Sequence, residues 1–154
     1  IIAELIVACA IFSLLLTVVL VNALPTLNRF LDRGSEFNVE KKVRELKFRL
    51  DGLLLRAATF RRDFTLIASP VQPNEYFFVK WEGDTTQETW RMENIAVKSS
   101  NAGVYSFVYS HLHQTLTPAL TLRVYRKEGA GLHVSPWRVS ISGYGFVRAY
   151  KTPR

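Results

Sequence analysis

The chain has 154 residues and a formal net charge of +7, with 20 Lys and Arg residues against 13 Asp and Glu residues. Once an apolar N-terminal segment is set aside, about 125 residues remain, enough for one domain with a modest core and too few for two. The single cysteine, Cys9, excludes an intramolecular disulfide. The positive charge indicates nucleic acid, acidic lipid or another acidic polymer as a class of partner.

Residues 1–24 form an apolar segment that Pro25 closes. A membrane-spanning helix needs about 20 mainly apolar residues, and Glu4 is the only charged residue before Arg29. An ionised side chain within hydrocarbon costs at least about 2.5–3.5 kcal/mol. Glu4 therefore either has a charge partner or lies near enough to the chain start to reach the lipid headgroups. Position alone leaves both interpretations open.

Half of the Lys and Arg residues lie between Arg29 and Arg62, directly after the apolar segment. The positive-inside rule would place the part that follows in the cytoplasm. A basic leader on the other side of the span, removed from a mature chain, would reverse that assignment.

The segment 1–24, with Glu4 and the apolar run 5–20, resembles the N-terminal arm of the type IV pilin and pseudopilin superfamily. Family members are processed from prepilins, and their glutamate lies four residues after a methylated N-terminal residue. Glu4 lies three after Ile1, so we expect a processed end from which one residue is missing. The resemblance implies that Glu4 pairs with the N-terminal amine of a neighbouring subunit during filament assembly. Such pairing would offset much of the cost of burying the charge.

Departures from the pattern of major pilins indicate a particular branch of the superfamily. Major pilins often carry glycine nine residues and proline seventeen residues after the glutamate, where this chain has Ser13 and Val21. Its proline comes four residues later, at Pro25. Together with a mainly β remainder, the N-terminal run is similar to the larger minor pseudopilins of the J type.

After the span, apolar residues recur at spacings of four and three, which predicts one face of an amphipathic helix. That face comprises Val39, Val43, Leu46, Leu50, Leu53 or Leu54, and Ala57. The pairs Glu40 with Arg44 and Glu45 with Arg49 place an acid four residues before a base, which supports a helix on the solvent side.

Gly34-Ser35 interrupts this helical pattern. Glycine costs a helix about 1 kcal/mol relative to alanine, and Ser35 could cap a second segment that begins with Glu36. We therefore expect a bend or break between Asp32 and Glu36, with Gly34 and Pro25 as the hinge positions.

Beyond Asp63 the apolar period changes to two, which predicts strands. Segments 76–82 and 85–93 read as a hairpin around Gly83-Asp84, and 104–111 as a second clear strand. A run with Leu120, Leu122 and Val124 on one face turns back at 128–131, and 132–134, 137–142 and 145–150 follow as short strands. These predict an antiparallel meander, which needs an apolar partner for one face.

The 39–57 stripe is the available partner. The predicted fold is α+β, with a long N-terminal helix whose first half spans the membrane and whose second half packs on an antiparallel sheet. The expected divisions are a membrane and assembly helix at 1–27, an amphipathic helix at 28–62 and a β domain at 63–154.

Few residues suggest chemistry. His111 and His113 lie two apart on a predicted strand and so could share a metal, with His133 and Asp84 brought in by the fold. Solvent-exposed histidines at a strand end are the simpler interpretation. No serine lies in a nucleophile-elbow glycine pattern, and Gly143-Tyr144-Gly145 is too short for a phosphate loop. We predict no catalytic residue, metal or cofactor.

The strand aromatics allow two interpretations. Beside Arg91, Lys98 and Arg123 they would form a stacking platform for single-stranded nucleic acid or a surface for another partner. They would otherwise be core residues and cross-strand pairs. The aromatics concerned are Tyr76, Phe78, Trp81, Trp90, Tyr105, Phe107 and Tyr109.

The resemblance implies a structural, non-catalytic subunit of a type IV pilus-like filament or a type II secretion pseudopilus, in a minor, tip-associated role. Its partners would be other pilin or pseudopilin subunits and the bacterial inner membrane, with secreted cargo or DNA as further candidates. Its head would be periplasmic or extracellular. The alternative is a single-pass membrane protein whose β domain binds a ligand or nucleic acid without polymerising. A secreted domain with a retained signal peptide is disfavoured, because the apolar run is too long and lacks a basic n-region.

Overall fold

In the computed structural model of the chain, residues 1–153 are described, apart from the side chains of Arg29, Asp32, Arg33 and Gly34. The chain divides into two compact units, Ile1–Asn38 and Val39–Arg154. The first unit is helical and the second contains the rest of the helix and all the strands.

Helix α1 runs from Ile2 to Phe60 and contains Pro25. Within the first unit, Ile2–Asn28 is long and apolar enough to cross a membrane, and none of its most apolar window is buried. The hinge expected at Gly34 lies outside the described residues. The hinge roles of Gly34 and Pro25 and the three-part division at 1–27, 28–62 and 63–154 stay predictions.

The part of α1 in the second unit buries the predicted stripe. Every stripe residue is at most 9 % exposed, including both Leu53 and Leu54. These side chains belong to one apolar cluster with residues of the strands. The helix-on-sheet prediction is therefore confirmed.

The solvent side of this helical part carries the predicted ion pairs. Arg44 lies 2.7 Å from Glu40, and Arg49 lies 3.4 Å from Glu45. Lys47 and Asp51 form a third pair of the same spacing at 2.6 Å. Exposed pairs of this kind stabilise a helix by only a few tenths of a kcal/mol each.

Nine strands follow in the described part of the chain: β1 Phe64–Ile67, β2 Tyr76–Trp81, β3 Gln87–Arg91, β4 Ile95–Ser99, β5 Ser106–Ser110, β6 Thr115–Thr117, β7 Leu120–Glu128, β8 Gly131–Ile141 and β9 Val147–Lys151. They form two antiparallel sheets, ordered β3-β2-β1-β5-β6 and β4-β7-β8-β9. The antiparallel prediction is confirmed, but a single meander is wrong. Pairings between strands distant in sequence, β1 with β5 and β4 with β7, divide the strands between two sheets.

The predicted turns and faces hold at several points. Strands β2 and β3 form the expected hairpin, with Gly83 at a φ of 81° in its turn. Gly129, at a φ of 56°, lies in the turn between β7 and β8. Leu120, Leu122 and Val124 are fully buried on one face of β7, as their alternation predicts.

The C-terminal strands differ from the prediction because β8 continues through Ser135-Pro136 as one eleven-residue strand. Its register against β7 shifts between Arg123 and Tyr125, which leaves extra β8 residues at the proline. Proline lacks an N–H, and a bulge is one of the places where a strand tolerates it. Strand β9 pairs with β8 only from Trp137 to Ile141.

Three strands have no counterpart in the prediction: β1, β4 and β6. The reason is clearest for β4, where the consecutive residues Ile95, Ala96 and Val97 are all at most 2 % exposed. A strand buried on both faces shows no apolar–polar alternation.

We predict that a fragment of residues 28–154 unfolds cooperatively and that Leu50→Ala lowers its free energy of unfolding by about 2–5 kcal/mol, because Leu50 is fully buried in the core. Phe48→Ala is the control, because Phe48 on the same helix is 79 % exposed and should change stability by less than about 0.5 kcal/mol. Urea titration followed by circular dichroism measures both. Equal losses, or no cooperative transition in the parent fragment, would contradict the helix-on-sheet core.

Candidate assembly helix and basic sheet face

Glu4 lies in the first turn of α1 and is exposed. The Leu5 N–H donates to the Ile1 carbonyl at 3.1 Å, so Ile1 accepts a helical hydrogen bond while its side chain is fully exposed. A carboxylate near a helix N-terminus is favoured by the helix dipole. Among the described residues no ion pair engages Glu4, so its carboxylate is accessible to a cation outside the chain.

The rest of the span presents apolar side chains outward. Leu5, Ile6, Phe12, Leu14 and Val19 are each more than 60 % exposed. The Thr17 hydroxyl donates to the Ser13 carbonyl at 2.7 Å, so this polar group is satisfied inside the helix. A helix with satisfied backbone groups and an apolar surface suits either hydrocarbon or the apolar side chains of other helices.

The predicted surface residues lie in two places. Lys98 on β4 and Arg123 on β7 are directly opposite each other in the second sheet. Arg91 is in the first sheet, on β3, with its Nε 4.0 Å from Glu75. The structure therefore brings together Lys98 and Arg123 and leaves Arg91 apart.

Two basic residues that no local sequence pattern singles out continue the pair. Arg138 on β8 is opposite Arg123, and Arg148 follows on β9 opposite Ser140. Alternation within each strand places these side chains on an outer face, but only the register between strands shows that they are neighbours.

The proposed stacking platform is wrong for three of its seven aromatics. Trp81, Phe107 and Tyr109 are at most 6 % exposed. Phe64 packs on Trp81 and Tyr109 with ring centroids 5.5 and 5.1 Å apart. These rings are core residues and cross-strand partners, the other interpretation of the pattern.

Among the described residues, the fold does not gather His111, His113, His133 and Asp84 into a metal site. His113 is exposed, and Asp84 instead pairs with Arg62 at 2.9 Å. His133 contacts Glu128 at 3.4 Å. Across the described residues no group of three or more His, Cys, Asp or Glu side chains is placed to hold a metal.

No protein-family model matches the sequence, and a search of curated proteins finds no match. Among solved structures, the type IV minor pilin FimU of Pseudomonas aeruginosa is similar, with 16 % identity and a TM-score of 0.51 over 72 % of this chain and 91 % of that one. A second crystal form of FimU has the same identity and a TM-score of 0.49 over 75 % of this chain and 89 % of that one. The chain has a type IV pilin-like fold.

In this pilin-like fold, Asp63 secures the chain just after α1. Its Oδ1 accepts the His111 backbone N–H at 2.7 Å and lies 2.5 Å from His111 Nδ1. Its carbonyl accepts the Glu82 N–H at 3.0 Å. The hydrogen bonds from the backbone and side chain of His111 hold the pKa of Asp63 below its ordinary value of 3.8.

A second tie joins α1 to the β2–β3 hairpin through Glu88. Its carboxylate lies 2.5 Å from Arg56 and accepts the indole N–H of Trp81 at 2.8 Å. Arg56 also stacks over the Trp81 ring, 4.6 Å from its centroid. Partial burial raises the pKa of Glu88, but hydrogen bonds from Trp81, Trp90 and Arg56 outweigh it and lower the pKa overall.

We predict that Asp63→Asn lowers stability by about 1 kcal/mol at pH 6–7, allowing for the partial exposure of Asp63. Because the folded pKa lies below 3.8, the carboxylate stabilises the fold above that pH, and the contribution is lost as pH falls through the folded pKa. The difference in stability between the variant and the parent should therefore shrink as pH falls below 3.8. Asp51→Asn, which removes only an exposed pair with Lys47, is the control. Urea unfolding at a series of pH values measures the difference, and a pH-independent loss would contradict the assignment.

Proposed function

We propose that the protein is a structural, non-catalytic subunit of a type IV pilus-like filament or a type II secretion pseudopilus, which assembles through its N-terminal helix. One observation carries the proposal. The chain has a pilin-like fold, and no residue of the most apolar stretch of its helical segment Ile2–Asn28 is buried against the rest of the chain. Such a surface needs lipid before assembly and apolar neighbours after it.

Glu4 would determine how neighbouring subunits align in the filament. In hydrocarbon its charge costs several kcal/mol unless a cation lies beside it, and its own chain supplies none in the described residues. The N-terminal amine of a neighbouring subunit would supply that cation. An apolar helix alone would associate in many registers, whereas one charge pair favours a single register between neighbours.

A minor, tip-associated position is the finer part of the proposal. Ser13 and Val21 stand where major pilins often carry the glycine and proline that loosen the helix within a filament. The similar protein FimU is itself a type IV minor pilin. We place the hinges of the helix at Pro25 and Gly34, where a missing N–H and a missing side chain make bending cheap.

The partners would be other pilin or pseudopilin subunits and the inner membrane, with the head periplasmic or extracellular. This location requires a processed precursor, because the basic residues between Arg29 and Arg62 would otherwise hold that side in the cytoplasm. Prepilin cleavage and N-terminal methylation are therefore part of the proposal. Secreted cargo or DNA are further candidate partners.

The alternative is a membrane-anchored β domain that binds a ligand or nucleic acid without polymerising. It would use the same span as a simple anchor, and the carboxylate of Glu4 would lie in the headgroups without a partner. The two proposals differ in what removal of that carboxylate does.

We predict that Glu4→Ala and Glu4→Gln lower incorporation into filaments by about tenfold or more, because loss of one partner leaves the neighbour's charge unpaired. Membrane insertion should be retained or improved, since a costly charge is gone. Co-purification with sheared filaments measures incorporation, and membrane fractionation measures insertion.

Thr17→Val is the matched control. It also removes a polar group from the span, but one that is already satisfied by Ser13 within the helix. It should leave incorporation unchanged. If both glutamate variants assemble as well as the parent, the anchored-domain alternative is the better account.

A further inference from the structure

The outer face of the second sheet carries a row of basic side chains in register. Lys98 on β4 pairs with Arg123 on β7, which pairs with Arg138 on β8. Arg148 on β9 lies diagonally beside Arg138, opposite Ser140. With strands about 4.7–4.9 Å apart, the row crosses four strands in about 14 Å.

The opposite face identifies this one as the outer face. Leu122, Val124 and Val139 alternate with the basic residues along the same strands and are fully buried. Arg123 and Arg148 are exposed, and Lys98 and Arg138 are partly exposed. All four side chains therefore point away from the core.

The row has no counter-charge in the described structure. None of the four residues has an ion pair, and Glu128, at the far end of β7, is the only acidic residue in the four strands. Glu128 is engaged by Arg126 at 2.7 Å. Like charges directly opposite each other destabilise a sheet, so the arrangement costs folding stability and serves no evident structural purpose.

Two tyrosines and two hydroxyl residues share this face. Tyr150 is opposite Arg138 and is 40 % exposed, and Tyr125 lies two residues from Arg123 on the same side of β7. Thr121 and Ser140 are opposite each other one row away. Cations that follow a polymer backbone, beside rings on which bases stack, are the features of a surface for single-stranded nucleic acid.

The geometry points to the outer face of the β4-β7-β8-β9 sheet as a binding surface for single-stranded nucleic acid, with Lys98, Arg123, Arg138 and Arg148 on phosphates and Tyr150 under a base. The face lies wholly within the Val39–Arg154 unit, so the inference does not rest on filament assembly. A second copy of the chain fits the face less well. With a net charge of +7, and with carboxylates such as Glu40, Glu75 and Glu88 already paired, a copy offers little free negative charge.

The test is binding of a fluorescein-labelled 20-nucleotide oligothymidylate to the full chain in non-ionic detergent, followed by anisotropy between 50 and 300 mM NaCl. Each phosphate contact in a single strand contributes about −0.7 to the slope of log K against log salt concentration. Four contacts predict a slope of about −3. Absence of binding at 50 mM NaCl overturns the inference.

Two double variants separate the row from net charge. Arg123→Gln with Arg138→Gln should weaken binding about 25-fold at 0.1 M salt and reduce the magnitude of the slope by about 1.4, because each contact contributes about fivefold at that concentration. Lys41→Gln with Lys80→Gln removes the same charge from exposed residues on α1 and on the first sheet, and should change affinity less than about twofold. Equal weakening by both pairs overturns the inference in favour of general electrostatic attraction.

Tyr150→Leu separates nucleic acid from other polyanions. It should weaken binding about fivefold or more without changing the salt slope, because stacking is lost while the phosphate contacts remain. Polyglutamate of the same charge should compete poorly. If Tyr150→Leu binds like the parent and polyglutamate competes equally per charge, the face recognises acidic polypeptide instead, and the inference is wrong. Circular dichroism confirms that each variant is folded.

Discussion

Burial of one helix face is the interaction on which the Val39–Arg154 unit depends. The stripe from Val39 to Ala57 belongs to the same apolar cluster as the inner faces of both sheets. Each large apolar side chain that is fully buried contributes roughly 1.5–3 kcal/mol, most of which offsets the entropy lost on ordering the chain. Neither sheet is continuous with the other, so the helix is a structural partner that the two sheets share within one core.

Acidic side chains are concentrated where the end of this helix contacts the first sheet, and this leaves the second sheet mainly basic. Asp63 binds His111, Glu88 binds Arg56 and Trp81, and Asp84 binds Arg62, so several of the 13 acidic residues are used where α1 meets the first sheet. Others form pairs along the solvent side of the helix. The second sheet is left with Glu128 as its only acid within the strands and with a basic outer face. The acidic residues thus stabilise the contact between α1 and the first sheet, and their scarcity in the second sheet makes its outer face attractive to anions.

Local periodicity was sufficient to predict the helical stripe and the two clearest hairpins. All stripe residues from Val39 to Ala57 are buried, because residues spaced alternately by four and three lie on the same face of a helix. The hairpin around Gly83 was also predictable, since glycine adopts the positive φ that its turn requires. The apolar span and Glu4 were predictable without any periodicity, because Glu4 is the only charged residue in the continuous apolar segment 1–24.

Properties that depend on distant pairings were not predictable. Strand β4 lacks alternation because both of its faces are buried, and its partner β7 begins some twenty residues later in the chain. The row from Lys98 through Arg123 to Arg138 exists only in that register, and a shift of one residue would send each side chain to the other face. The division into two sheets likewise rests on long-range pairs such as β1 with β5. The sequence predicts a gap between strands at Ser135-Pro136 because proline is rare inside strands, and the bulge that admits it leaves no local sequence signal.

The proline at that bulge also limits aggregation between copies of the molecule. Within the described part of the chain, β9 pairs with β8 only from Trp137 onward, so the first half of β8 has an unpaired edge on that side, with Val134 78 % exposed. An open edge invites strand addition from another copy and, from there, irreversible aggregation. Pro136 presents no N–H to an incoming strand, and its carbonyl already accepts the Thr152 N–H at 2.9 Å. The exposed edge is thus limited to a few residues and ends at Pro136. Strand addition between copies of the chain is therefore limited even at high local concentration.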